Sequence, residues 1–459
     1  MTTAGKSGRR PASGRAAATR AAGRVAAPRH TARRRPRPWE WRRILFVAAL
    51  LLATLVALLA DSGYLSQFDP IDVFVYKCYA HGFWQGQLPA HAVDTQSCAA
   101  SWPAPPARFR AFPAEYPALA LSIFSLPLLL PWLSYGAAYM VWIALILLLA
   151  TGLLAWRGPA GVALALPLYV MLAGWGFVLQ RFDLVLGLCV LFALLLARGG
   201  RARSAAVVLA IGTLLKLFPI VLLPVLLIAC KRDGGHWRPD LVALFGAVCL
   251  AGVLPELALN AAGLRGSFAF LFGRPLELES LPGSLLWITS NLGAGPAAGS
   301  ANGPYIAFSY NSLNVAGGAQ SWWGTVWTLG GGAGLLGAYW RAWRGWDSLG
   351  RSVVLILLIL LASGKVFSPQ YILWVLPVAA VVEGVRLRWL LLAALVCAVM
   401  LGFYAASLQA LAWTPLFLAA ILARNLFVCA LAVLYLATRG DRLSERWPAR
   451  PLSRHLWPG

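Results

Sequence analysis

The residues best suited to chemistry in this chain are carboxylates, phenols and isolated cations, set where an otherwise apolar sequence turns polar. Between Asp61 and Pro117 lie five of its sixteen acidic residues: Asp61, Asp69, Asp72, Asp94 and Glu115. Asp72 and Tyr76 share one face if that segment is helical. Glu115 and Tyr116 stand directly before Pro117 and an apolar run, either as part of a site or as a helix start with proline near the first turn. Gln180-Arg181-Phe182-Asp183 packs polar residues between two apolar runs, and reads either as functional or as a short loop in which Asp183 caps the next helix. Lys216 stands inside an apolar run, where a lysine costs about 2.5–3.5 kcal/mol at a bilayer centre unless it snorkels to the interface. Arg274 is followed closely by Glu277 and Glu279, and Lys365 by Gln370 and Tyr371. A carboxylate that accepts a proton, with cations that hold an anion, is the chemistry these residue types offer.

Metal chemistry is not expected. Asp69 and Asp72 could share an ion, but there is no Asp-x-Asp pair, and the five histidines form no cluster. No cofactor is expected either.

The elements that must position these groups are membrane helices. Of 459 residues, 60% are hydrophobic and only 12% charged, a composition outside the range of soluble domains. The net charge of +23 does not indicate a nucleic-acid partner, because about half of the excess sits in one tail. Residues 1–43 hold twelve arginines and Lys6 against Glu40, have no apolar periodicity, and read as a disordered basic cytoplasmic tail. Ile44 to Ala60 is an uncharged run of 17 residues, the lower limit for a transmembrane helix. It leads from the cytoplasm to Asp61 on the outer face. Working back from the other end, residues 439–459 form a second basic cytoplasmic tail, and Arg386 with Arg388 and Arg341 with Arg344 and Arg351 are cytoplasmic. Both basic tails suit anionic lipid. The alternation then places residues 61–116, 260–321 and Lys365 to Tyr371 outside. The region between, 44–438, reads as one all-α polytopic transmembrane bundle of about ten to thirteen helical segments.

One run resists simple alternation. Ser204 to Cys230 spans 27 residues, interrupted by Lys216 and Pro219, between two basic clusters that both look cytoplasmic. It reads as two half-helices that rise, turn at Lys216-Leu217-Phe218-Pro219 and return, as backbone does where it lines a cavity. Cysteines follow the same division. Cys189, Cys230, Cys249, Cys397 and Cys429 belong to apolar runs, while Cys78 and Cys98 lie in the outer segment, where oxidation is permitted. The second pair is expected to form a disulfide, a closure worth roughly 3 kcal/mol.

Taken in order, DVFVY, EYPALAL, QRFD, LKLFP, RPLELESLPGSLLW and KVFSPQYILW resemble the bacterial polyprenol-phosphate-mannose-dependent alpha-mannosyltransferases, integral-membrane glycosyltransferases of the GT-C type. The resemblance runs from Asp72 to Pro377. It departs from the family pattern at Tyr116-Pro117-Ala118, where Tyr-Pro-Pro is common, and at Ala90 to Phe112, which looks like an insertion. It implies inverting mannosyl transfer from a polyprenyl-phosphate-linked donor to a cell-envelope glycolipid or polysaccharide, on the outer face of the bacterial plasma membrane. Under it Asp72 is the base, with Glu115 as rival or orienting group. Lys216, Arg274 and Lys365 hold the donor phosphate; Tyr76, Tyr116, Arg181, Asp183, Glu277, Glu279, Gln370 and Tyr371 support them. Glu277 is expected to orient Arg274. A transporter or flippase of lipid-linked sugars is the rival class, since it too uses broken helices and buried charges. Against it, the sequence has no internal repeat.

Overall fold

The structure is a computed structural model. It describes residues 38–65, 71–87, 98, 107–113, 115–291, 304–310, 312–317, 320–401 and 415–439. Asp69, Asp94 and nearly all of both basic tails lie outside these residues.

Fifteen α-helices make up almost all of the described chain. The first half contains α1 (Pro38–Leu65), α2 (Ile71–Gln85), α3 (Ala120–Ser125), α4 (Tyr135–Arg157), α5 (Ala160–Gly174), α6 (Asp183–Arg198), α7 (Ala202–Leu215) and α8 (Leu223–Gly234). The second contains α9 (Pro239–Gly273), α10 (Leu281–Asn291), α11 (Gln320–Trp343), α12 (Leu349–Ser363), α13 (Leu376–Glu383), α14 (Leu387–Val399) and α15 (Pro415–Ala437). Four segments, within α1, α4, α9 and α15, are long and apolar enough to cross a bilayer, and shorter apolar helices fill the space between them. The chain is an all-α polytopic membrane protein.

Burial sorts the helices into wall and interior. The apolar windows of α1 and α9 are only 22% and 17% buried, so most of their side chains face outward as a lipid-exposed surface does. In α12 the run Val353 to Leu358 is buried throughout, and so are Leu376 to Val381 of α13. Both are apolar on every face, which suits a helix enclosed by others.

The break within Ser204 to Cys230 is where the sequence places it. α7 ends at Leu215, Lys216 is extended (φ −162°, ψ 131°), and a short 3₁₀ turn, Phe218–Leu222, leads into α8. Two other boundaries differ from expectation. α1 does not stop at Ala60 but runs to Leu65, so Asp61 is not in an outer loop; it is fully buried in the last turns of the helix. The stretch beginning at Asn260 is also helical as far as Gly273. α9 is kinked there, where Pro255 lacks the amide needed for the helical bond and Asn260 leaves helical geometry (φ −155°, ψ 68°). Asn260 restarts the helix, because its Oδ1 accepts from Gly263 N (2.8 Å) while its Nδ2 donates to Arg110 O (2.8 Å).

After α9 comes a small sheet that apolar periodicity did not announce: β1 (Leu276–Glu277), β2 (Tyr305–Ser309) and β3 (Ser312–Ala316), antiparallel in the order β1-β3-β2. Glu277 is opposite Asn314, and Ser309 opposite Ser312. Leu276, Leu278 and Val315 pack with Leu286, Phe417 and Ile421, fastening the sheet to α10 and α15.

Candidate active site

Three segments meet at one end of the bundle, and each contributes a charge. The first is α2. Asp72, in its first turn, forms an ion pair with Arg181, and both side chains remain partly exposed, at 29% and 19%. Tyr76, one turn on, does not reach solvent. Its ring stacks on Phe124 (4.2 Å) and meets Phe182 and Tyr116 edge-on. Burial pushes both phenols, Tyr76 and Tyr116, well above their usual range, and Glu115 adds to the effect on Tyr116. Tyr76 is therefore the packing contact that seats α2 on the Glu115-Tyr116-Pro117 and Arg181-Phe182-Asp183 segments.

The second segment joins α5 to α6. Asp183 is not the N-cap that the sequence suggests as one alternative; Phe182 occupies that position and no side chain caps the helix. The buried Asp183 carboxylate instead accepts from Lys216 Nζ (2.8 Å) and Trp374 Nε1 (2.7 Å). Lys216 thus escapes the cost of an isolated charge without snorkelling. Its ammonium lies over Tyr371 (4.2 Å), Trp374 (5.0 Å) and Phe182 (5.4 Å), an aromatic box that favours a cation. Trp374 is in turn stacked between Tyr371 (4.2 Å) and Phe218 (4.0 Å). Gly187 permits this approach, since a Cβ there would lie 2.0 Å from Leu373 O.

The turn before this segment is held by Asp61, whose Oδ1 accepts from Gly176 N at 2.7 Å. Its second oxygen, Oδ2, is buried without a hydrogen bond. Arg181 and Asp183 lie just beyond the short 3₁₀ turn, Val178–Gln180, that follows Gly176, so the first span holds the start of the stretch that carries them.

The third segment carries Arg274. It ends α9, donates from Nη2 to Ser312 Oγ (3.0 Å), and lies 3.5 Å from Glu277. Burial opposes its charge, but Glu277, Tyr371, Glu115 and Tyr116 outweigh that and raise the guanidinium above its ordinary value. Its Nε is buried and unpartnered. Glu277 is saturated: it accepts from Phe367 N (2.7 Å) and Ser368 Oγ (3.0 Å) besides facing Arg274. That clamps the Lys365–Ser368 stretch to β1, with Glu277 N bonded to Lys365 O at 2.9 Å. Gly283 packs on the same turn, since a Cβ there would fall 2.0 Å from Glu277 O. The Lys365 side chain is exposed, and Gln370 is half-buried.

Tyr371 lies at the junction, where its phenol is within electrostatic reach of Lys216, Arg274, Glu277 and Asp183. The structure thus brings together Asp72, Arg181, Asp183, Lys216, Tyr76, Tyr116 and Tyr371, with Arg274 and Glu277 adjoining. Glu279 is not with Arg274. It faces Arg424 (3.5 Å), a fully buried residue of α15 that also donates to Glu279 O (2.7 Å) and Phe367 O (3.1 Å). Asn425 Nδ2 donates to Glu279 O as well (3.0 Å). Sequence reasoning passed over Arg424, although it is the one charge in α15 and stands out by the same test that singles out Lys216. It also passed over Glu256, a buried carboxylate in α9 whose Oε1 has no partner.

The Cys78–Cys98 disulfide is present, with its Cα atoms 5.5 Å apart. The stretch that follows is tied back to the bundle: Phe109 N donates to Phe83 O (2.7 Å), and Ser267 Oγ to Pro113 O (3.2 Å). Among the described residues no group of three or more His, Cys, Asp or Glu side chains could hold a metal ion.

A family model, Glycosyltransferase family 87, matches residues 115–369, more than half of the chain. The chain belongs to glycosyltransferase family 87. The family is of the GT-C membrane type, in keeping with the helical bundle. No curated protein and no solved structure matches the chain. The family 87 match contains Glu115, Tyr116, Arg181, Asp183, Lys216, Arg274, Glu277, Glu279 and Lys365, and it stops short of Asp72, Tyr76, Gln370 and Tyr371. Asp72 is joined to the matched region by geometry, through its ion pair with Arg181.

Proposed function

We propose that this family 87 glycosyltransferase transfers mannose, with inversion, from a polyprenyl-phosphate-linked donor to a hydroxyl of a cell-envelope glycolipid or polysaccharide. The observation that carries the reading is one short segment with two charges: Arg181 holds Asp72, and Asp183 holds Lys216. A carboxylate and a cation are thereby fixed on the same support, with Arg274 and its unpartnered Nε nearby.

The chemistry follows from the leaving group. A lipid phosphate departs as a stable anion, so no strong general acid is needed, unlike glycoside hydrolysis with its paired carboxylates. Asp72 takes the proton from the acceptor hydroxyl, the hydroxyl oxygen bonds to the anomeric carbon, and the bond from that carbon to the phosphate oxygen breaks. One displacement inverts the centre. Arg274 holds the developing phosphate charge through its planar fork, with Lys216 and Lys365 as point charges. Glu277 orients Arg274, and Glu115 orients the acceptor or a cation. On this reading the site faces outward from the bacterial plasma membrane, both termini are cytoplasmic, and the basic tails rest on anionic lipid. Family membership weighs against the alternative of a transporter or flippase.

The test is reconstitution of the full chain in vesicles with radiolabelled polyprenyl-phosphate mannose and extracted envelope acceptors. Label should pass to the acceptor in the opposite anomeric configuration. Retained configuration, or movement of the lipid-linked sugar across the bilayer without transfer, would overturn the proposal.

A further inference from the structure

At the end of α12 away from the site, four chain segments crowd cations together. α8 supplies Lys231 and Arg232; α11 and the turn after it supply Arg341 and Arg344. α12 supplies Arg351, and Arg439 follows α15. Three of these are fully engaged by the protein. Arg341 and Arg351 share the buried Asp347 (2.7 and 2.8 Å) and also donate to the last carbonyls of α15 and to Thr438 O. Arg232 donates to Ala342 O (3.0 Å) and Asp347 O (3.2 Å). The remaining three rest on tryptophans. Arg344 lies over Trp340 (5.5 Å) and Trp346 (5.9 Å), Arg439 over Trp346 (4.7 Å), and Lys231 between Trp237 (5.1 Å) and Trp343 (5.5 Å).

Arg344 and Arg439 are exposed, and among the described residues neither has a carboxylate partner. They lie over the same indole, Trp346, which gathers two exposed guanidinium groups from different segments around one ring. Trp237, Trp340 and Trp343 are each more than two-fifths exposed beside them, and clustered indoles of this kind settle at the headgroup level of a bilayer. The chain beyond Arg439 adds more positive charge than negative. Residues 440–459 hold four arginines against Asp441 and Glu445.

We infer that Arg344, Arg439 and Trp346 form a binding site for the phosphate of an anionic phospholipid headgroup, in the leaflet at the end of the bundle opposite the active site. The guanidinium groups meet the phosphate oxygens through their N–H donors, the Trp346 ring holds the guanidinium planes in place, and the outer tryptophans embed in the surrounding headgroups. Lys231 adds charge at the margin. This site is independent of the sugar-transfer reading; because Arg439 opens the second basic tail, it gives the proposed attraction of that tail to anionic lipid a defined headgroup site on the bundle.

The experiment is native mass spectrometry of the full chain released from nanodiscs of mixed phosphatidylglycerol and phosphatidylcholine. Wild type should retain phosphatidylglycerol selectively, and adding inorganic phosphate should not displace it. Each cation near a headgroup weighs about fivefold in affinity, so Arg344→Gln with Arg439→Gln should weaken phosphatidylglycerol retention about thirtyfold. The Arg344→Lys, Arg439→Lys protein keeps the charge but loses the fork, and should fall between. Gel-filtration elution at the wild-type volume shows that each variant is folded. Equal retention by wild type and the Gln variant, equal retention of the two lipids, or displacement by inorganic phosphate overturns the site.

Discussion

The two ends of α12 hold ion clusters of similar composition but opposite character. A helix of 15 residues separates them by about 22 Å. At the Asp347 end each partner is used up: the carboxylate is wholly enclosed, and its two arginines also satisfy the exposed carbonyls that finish α15. At the Lys365 end the bonding is incomplete. Asp72 and Arg181 are partly open to solvent, Arg274 keeps one buried donor unpaired, and Lys365 is exposed. A cluster that only holds helices together gains by saturation, since every unpaired buried group costs free energy. A cluster that must grip a transient phosphate and pass on a proton has to leave capacity unused.

The largest test of this contrast is to break the saturated end. Asp347→Ala leaves the buried Arg341 and the half-buried Arg351 without their carboxylate and should cost about 3–5 kcal/mol of stability, read as a fall in the thermal midpoint of the purified protein. Turnover per folded molecule should hold. Lost turnover in a protein that melts normally would show that the two ends do not divide stability from function.

Next is Asp72→Asn, which keeps shape and hydrogen bonding but cannot take a proton. A positioned base contributes roughly a hundredfold to ten-thousandfold, so turnover should fall about a thousandfold while donor affinity is kept. Glu115→Gln, measured beside it, should lose far less. The reverse pattern would transfer the base role to Glu115, which adjoins Tyr116 in the same aromatic cluster.

A smaller effect is expected from Arg274→Lys. The cation survives but the fork does not, and with it goes either the Ser312 bond or the contact with Glu277. Donor KM should rise about tenfold, equivalent to about 1.4 kcal/mol, with a modest fall in kcat. Unchanged KM and kcat would remove Arg274 from the phosphate site.

Much of this site was legible in the residues because membrane composition makes polar groups conspicuous. Lys216 is an unexplained charge in an apolar run, and the structure shows its explanation in Asp183 and three aromatic faces. Arg424 is as conspicuous by the same measure; its partners, Glu279 O and Phe367 O, are more than fifty residues away and cannot be paired with it by inspection. The small sheet was hidden for a different reason. Strands of two and five residues in a Gly- and Pro-rich stretch carry too few alternations to register as a period. Asp61 was misread through the boundary of α1: an apolar run that ends at Ala60 suggests a helix end, whereas the helix continues because a backbone amide far along the chain satisfies the carboxylate.

That carboxylate supplies the smallest and most discriminating test. Asp61 and Asp72 both lie near the Arg181 segment, and both could in principle serve as a base, but their surroundings differ. Asp72 is partly open and paired with a guanidinium, while Asp61 is fully enclosed and bonded to Gly176 N. If Asp61 only anchors the turn, an amide should serve nearly as well, because its carbonyl oxygen could still accept from Gly176. Asp61→Asn should then cost roughly 1 kcal/mol of stability, for an amide donor left in an enclosed place, and change turnover only a few-fold. Asp61→Leu removes the acceptor and should lower both stability and turnover further, by letting the turn before Arg181 shift. An Asp61→Asn protein that melts like wild type but transfers no sugar would mean that the negative charge, not the hydrogen bond, is what matters there. The base would then have to be sought on α1 instead of α2.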